Sequence, residues 1–335
     1  MSDRRRWVRP LVGGLVAVAF VLLLARRVDW RAATDLIVRA SPAALAAGLA
    51  LLALGYSARI VRWWTMLRAF EPRLPVGACA RPFLASLAVN NTVPFRAGDI
   101  VRAFGFQRDL GIAPARVVGT LVLERVLDLL VLLLLFFPGL IGVARGAVPP
   151  SLVVAGAGIG TVAVVLLLLL VLAPGPVGRL IERLCRLGPL ARRPLAGRAA
   201  GWAAQFLEAF APLRSGRRAA ELLMLSLVAW GFEGGMYAMV AHAVQAGSAP
   251  AGPWFALTTG TLATLIPSSP GYVGTFDYFA MLGLTAYGAR RTAAAAFALL
   301  VHLMLWLPVT VIGGLYALAP RARAAWSDAP RVESV

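Results

Sequence analysis

Long apolar runs alternate with short arginine blocks along most of this chain. A helix needs about twenty apolar residues to cross a bilayer core. The runs therefore predict spans over 10–25, from Pro42 onward, and over 117–143, 151–173, 222–244 and 292–318. Two further stretches break the pattern. The apolar segment Phe83–Val89 is too short to cross and runs into Asn90-Asn91-Thr92-Val93-Pro94-Phe95-Arg96-Ala97-Gly98-Asp99. Pro94 lacks a donor and disfavours helix at Val93, while Gly98 permits a turn or a close backbone approach. A hairpin entering at Pro82, breaking at Pro94 and leaving by Arg108 fits this pattern. Within 249–288 a second break, Thr264 to Asp277, carries Pro267, Pro270, Gly271 and Gly274. The predicted fold class is an all-α integral membrane protein with about six full transmembrane helices and two re-entrant broken-helix hairpins.

Composition supports this class. Of 335 residues, 60% are hydrophobic and 14% charged, where soluble chains hold about half and a quarter. The formal net charge of +18 could suggest nucleic acid. Its basic residues, all arginine, instead sit in blocks flanking apolar runs, as the positive-inside rule and anionic inner-leaflet lipids favour. No nucleic-acid partner is expected. Cys79 and Cys185 lie far apart, and His242 and His302 are isolated, so neither a disulfide framework nor a metal cluster is expected. The isolated histidines read as packing residues. Arg59, Arg62, Trp63, Trp64 and Arg68 read as an interfacial belt closing the second span.

The chain divides into a single membrane domain, 1–320, and a tail, 321–335, expected to be disordered. Two halves, 10–173 and 219–318, are joined by an arginine-rich connector, 174–218, whose spaced apolar residues predict an amphipathic inner-leaflet segment. Both termini are expected on the cytoplasmic side of the cell membrane. The broken segments fall at matching places in the halves. Each has a hydroxyl residue shortly before a proline, a glycine four places after that proline, then an aspartate. One hairpin would enter from inside and the other from outside, the relation of an inverted repeat. Paired interruptions of this kind point to a substrate site at a repeat interface.

Ionisable residues inside spans mark the candidate chemistry. Glu124 and Asp128 share one helix face and would repel without cations, which Arg96 or Arg102 could supply. Arg125 projects at an adjacent angle. Glu233, near the middle of its span, needs a partner nearby. Arg96, Arg102 and Arg125 suit a phosphate group.

The segment at 90–102, Glu-Arg-x-x-Asp at 124–128 and Pro-Gly-x-x-Gly-x-x-Asp at 270–277 resemble the membrane domain of lysylphosphatidylglycerol synthase/flippase proteins. The resemblance covers about Leu11 to Leu318. It implies movement of an amphiphilic lipid with an anionic or zwitterionic headgroup between leaflets. Carried over by residue, the lining would hold Asn90, Asn91, Pro94, Arg96, Gly98, Asp99, Arg102, Glu124, Arg125, Asp128, Pro270, Gly271, Gly274 and Asp277. Asp99 and Asp277 stand where the family commonly has glutamate. The soluble synthetase domain is not seen in this sequence, so aminoacyl transfer is not expected.

The expected function is lipid flipping, with Glu233 added to the headgroup-binding set. The alternative is an enzyme or accessory of polyprenyl-phosphate, glycolipid or cell-envelope lipid metabolism. No catalytic residue, metal or cofactor is expected, and no Walker A pattern points to ATP. The expected partners are a membrane lipid, anionic inner-leaflet lipids, and a second copy of the chain or an envelope-biosynthesis enzyme.

Overall fold

In the computed structural model the described residues are 18–23, 28–93, 96–143, isolated positions within 154–176, 195–266 and 268–318. They contain helices and turns and no strand. Most of the first and fourth predicted spans, Pro94, most of the connector up to residue 194 and the tail lie outside them.

Three helices are long and apolar enough to cross a membrane: α2 (Pro42–Leu67), α8 (Gly216–Ala243) and α11 (Arg291–Leu318). A fourth, α6 (Pro114–Ile141), has 28 residues and carries Glu124, Arg125 and Asp128 near its middle. Helices α2 and α8 lie antiparallel. The Ser41 N–H donates to the Ala243 carbonyl at 3.2 Å, and Arg62, towards the other end of α2, reaches Ser226. Trp63 near the end of α2 donates to Thr120 near the start of α6, so Leu67, Pro114 and Gly216 share one end of the molecule. Arg68, Arg73, Arg116, Arg217 and Arg218 cluster there.

From that end rises the first broken segment. Helix α3 (Gly77–Thr92) is followed by α4 (Ala97–Ile100), which lies back against it, then a π turn (Val101–Gly105) and α5 (Gln107–Leu110). Asn90 stitches the hairpin near its tip, accepting from the Gly98 N–H at 2.8 Å and donating to Asp99 at 3.1 Å. Only glycine fits at 98, because a Cβ there would lie 1.8 Å from the Ser86 carbonyl oxygen. Helix α3 packs antiparallel along α11, with Arg81 bonded to the Tyr316 carbonyl and Asn91 to Thr310.

The second broken segment hangs from the opposite end. Helices α9 (Gly252–Ala263) and α10 (Thr275–Thr285) pack side by side, and a short 3-10 turn (Pro270–Tyr272) lies in the crossover between them. At 1.5 Å per residue, α9 is only ~18 Å long and α3 ~24 Å, so neither crosses a membrane alone. Helix α1 (Trp30–Val38), capped by Asp29, lies against α11 at this same end. Helix α7 (Leu195–Glu208) covers the start of α6 through Phe206 and the Arg116–Glu208 ion pair, keeping Trp202 exposed.

Candidate functional site

The two hairpins meet at their tips. Arg96 begins α4 with φ 53°, and Tyr272 ends the 3-10 turn with φ 60°. Both are left-handed, a region that side chains other than glycine's rarely occupy. Across the seam the Arg96 Nε donates to the Tyr272 hydroxyl at 3.2 Å, and Trp306 of α11 donates to the Asn91 carbonyl at 3.3 Å. Among the described residues no carboxylate pairs with Arg96.

Behind the seam lies a cavity of about 170 Å³. Its polar wall comprises Tyr56, Asn91, Glu233, Thr261, Thr264, Tyr272 and His302, with Leu87, Phe276 and Val309 on the apolar side. Asp277, buried at the start of α10, accepts from the Gly274 N–H at 2.9 Å and faces His302 at 2.8 Å. The second imidazole nitrogen of His302 lies 2.9 Å from the Gly271 carbonyl oxygen. Gly271 and Gly274 have φ of 69° and 85°, which explains glycine at both places.

Beside the cavity runs a set of arginine–carboxylate pairs. Arg59 meets Glu233 at 2.8 Å, Arg62 meets Asp128 at 2.6 Å, and Arg102 meets Glu124 at 3.1 Å. Trp230 and Ser226 complete the Arg62–Asp128 group at 3.1 and 2.7 Å. Arg102, at the π turn, packs against the rings of Trp63 and Phe83, 3.7 and 4.4 Å from their centroids. Charges this deep are stable only when paired and hydrogen-bonded. The fourth pair differs. Arg125 and Asp99 are 3.4 Å apart, and their side chains are 40% and 25% exposed. The neighbouring outer surface is apolar: Val93, Ile100, Phe104, Leu265, Ile266 and Val273 are all exposed.

These placements sort the sequence-derived residues. Asn91, Gly271 and Glu233 line the cavity, with Asp277 behind it. Arg96 reaches the lining residue Tyr272, while Asp99 and Arg125 form a partly exposed pair outside the lining. Asn90 and Gly98 hold the first hairpin closed, and Gly274 caps α10 through Asp277. Pro270 opens the 3-10 turn. Arg102, Glu124 and Asp128 are buried in the interior, each paired with a neighbouring side chain. Arg102 does serve Glu124, whereas Arg96 serves neither acid; Asp128 takes Arg62 instead.

The interfacial-belt reading of Arg62 and Trp63 is corrected: both are completely buried. Arg68 stacks on Trp64 at the arginine-rich end. Arg59, Tyr56, Tyr272, His302 and Trp306 were not anticipated at the site. A signal existed only for the arginines. Arg59 and Arg62 are one helical turn apart and so could leave the surface together on one face.

Comparison with known proteins follows the same lines. The chain is 26% identical over 337 aligned residues to a Haloferax volcanii protein named glycosyltransferase AglD. The alignment covers 92% of this chain and 54% of that relative, so the chain spans about half its length. Residues 11–313, which include both hairpins and every pair described above, match the lysylphosphatidylglycerol synthase transmembrane region, and the chain belongs to that family.

Proposed function

We propose that the protein is a lipid flippase, carrying the headgroup of an amphiphilic phospholipid or lipid-linked compound along the seam between two re-entrant hairpins. One observation carries the reading: the hairpin tips meet at Arg96 and Tyr272, where an arginine with no carboxylate partner among the described residues adjoins exposed apolar surface. An acyl or prenyl chain would stay in the bilayer against Val93, Ile100, Phe104 and Val273. The headgroup would meet Arg96 first, then the exposed Arg125–Asp99 pair. Guanidinium groups suit a phosphate in such a place.

In this reading the arginine-rich end faces the cytoplasm, following the positive-inside rule, and both termini lie there. The hairpins are re-entrant from opposite sides, as the halves of an inverted repeat would be. The chain itself performs no group transfer. A second reading, an accessory of glycolipid assembly in the cell membrane, draws on the Haloferax relative's name. In that case the chain would present a polyprenyl-linked substrate to a separate enzyme.

Leaflet-resolved lipid movement in proteoliposomes separates the two. Unaltered protein should move anionic or zwitterionic lipid between leaflets, and Arg96→Ala should abolish the movement while the protein still inserts. Absence of movement for phospholipid and polyprenyl-linked lipid alike would sink the flippase reading in favour of the accessory one.

A further inference from the structure

His302, Asp277 and Gly271 have hydrogen-bonding requirements that count protons. The Gly271 carbonyl oxygen only accepts, so the His302 Nε2 facing it at 2.9 Å must carry a hydrogen. The Asp277 Oδ2 already accepts from the Gly274 N–H, leaving Oδ1 to meet His302 Nδ1 at 2.8 Å. Two assignments satisfy that contact. Either Nδ1 also carries a hydrogen and an imidazolium faces a carboxylate, or a carboxylic acid donates to a bare Nδ1. Both hold one proton more than a neutral imidazole beside an ionised carboxylate. Remove it and a lone pair must face either the carboxylate or the carbonyl, in a site where Asp277 is buried. One of the two bonds then opens.

We propose that the His302–Asp277 pair is a proton-binding latch. With the proton bound, α11 holds the Gly271 turn, and through it the second hairpin tip, against the first. Loss of the proton frees the turn, and the Arg96–Tyr272 seam opens. If the chain moves lipid as proposed above, each opening releases a proton and the movement draws on a proton gradient. The groups facing this cavity from other elements are Glu233 of α8, held by Arg59, and the phenols Tyr56 of α2 and Tyr272 of the turn. Helices α3 and α9 contribute no charge to its lining.

The test reads the tips directly. Spin labels are placed at Val93→Cys and Val273→Cys, with Cys79→Ala and Cys185→Ser, and the protein is set in lipid nanodiscs. Distances are measured by double electron–electron resonance from about pH 5 to about pH 8, the range in which imidazoles change charge. The short distance should give way to a longer one as pH rises. His302→Gln, which cannot take up the proton, should remove the pH response. In Asp277→Asn the amide stands in for the neutral acid and still accepts from Gly274, so the short distance should persist throughout. A pH-independent distribution in the parent, or a shift that survives in Asp277→Asn, would overturn the latch. Tip movement without lipid movement would leave the latch standing and defeat the transport reading alone.

Discussion

Arg96 and Tyr272 stand 176 positions apart, share the left-handed backbone region and are joined side chain to side chain at 3.2 Å. Each backbone costs about 1–2 kcal/mol relative to an ordinary conformation. Two such costs facing one another at the point where two hairpins touch mark a position kept for something other than stability.

The cost and the role can be separated at Arg96. Glycine there removes the strain along with the guanidinium. Arg96→Gly should match or exceed the parent in thermal stability, by up to about 1 kcal/mol, yet lose lipid movement. Arg96→Lys should retain part of the movement, because it keeps charge without the planar donor pair. Thermal unfolding in detergent and the proteoliposome assay together check this; equal transport by Arg96→Gly would dismiss the guanidinium.

Gly98→Ala should be among the most damaging single-methyl changes in the chain. Its Cβ would overlap the Ser86 carbonyl, a backbone atom that cannot rotate away. Separating the two arms of the first hairpin should cost ~3 kcal/mol or more and lower the unfolding temperature clearly, whereas Gly216→Ala, with open space around it, should not.

Arg62→Ala leaves Asp128 buried with Trp230 as its hydrogen-bond partner among the described residues. Stranding one member of a buried pair costs about 3–5 kcal/mol, so this variant should show reduced yield and stability. Arg62→Met with Asp128→Leu removes both charges, and recovery of most of the stability is expected. A double variant no better than Arg62→Ala would mean that the pair does more than neutralise itself.

At Arg102 the aromatic contacts decide the outcome. Arg102→Lys keeps a charge for Glu124 but loses the guanidinium's contacts with the Trp63 and Phe83 rings and the second donor. A loss of ~2 kcal/mol is expected, with transport per folded molecule unchanged. A transport defect at normal stability would place Arg102 in the headgroup set.

Much of this architecture was readable beforehand. Apolar runs of bilayer length are set by hydrocarbon thickness, which acts on each helix separately, so α2, α8 and α11 declared themselves. The interruptions in the two broken segments were legible too, because proline and glycine act on the local backbone whatever surrounds them. Glu233 announced the need for a cation by being a carboxylate inside an apolar run.

Which cation answered it was decided by tertiary structure alone. Arg59 and Arg62 stand near the end of their helix beside two tryptophans, and local pattern assigns such residues to the interface. They lie inside because α8 and α6 pack over them with Glu233 and Asp128 at matching heights. His302 looked isolated for the same reason: its partners, Asp277 and Gly271, are 25 and 31 residues away. Periodicity and backbone breaks are short-range properties that a single sequence carries in full. The pairing of buried charges and the meeting of two hairpin tips depend on how helices dock, and only the assembled fold sets that.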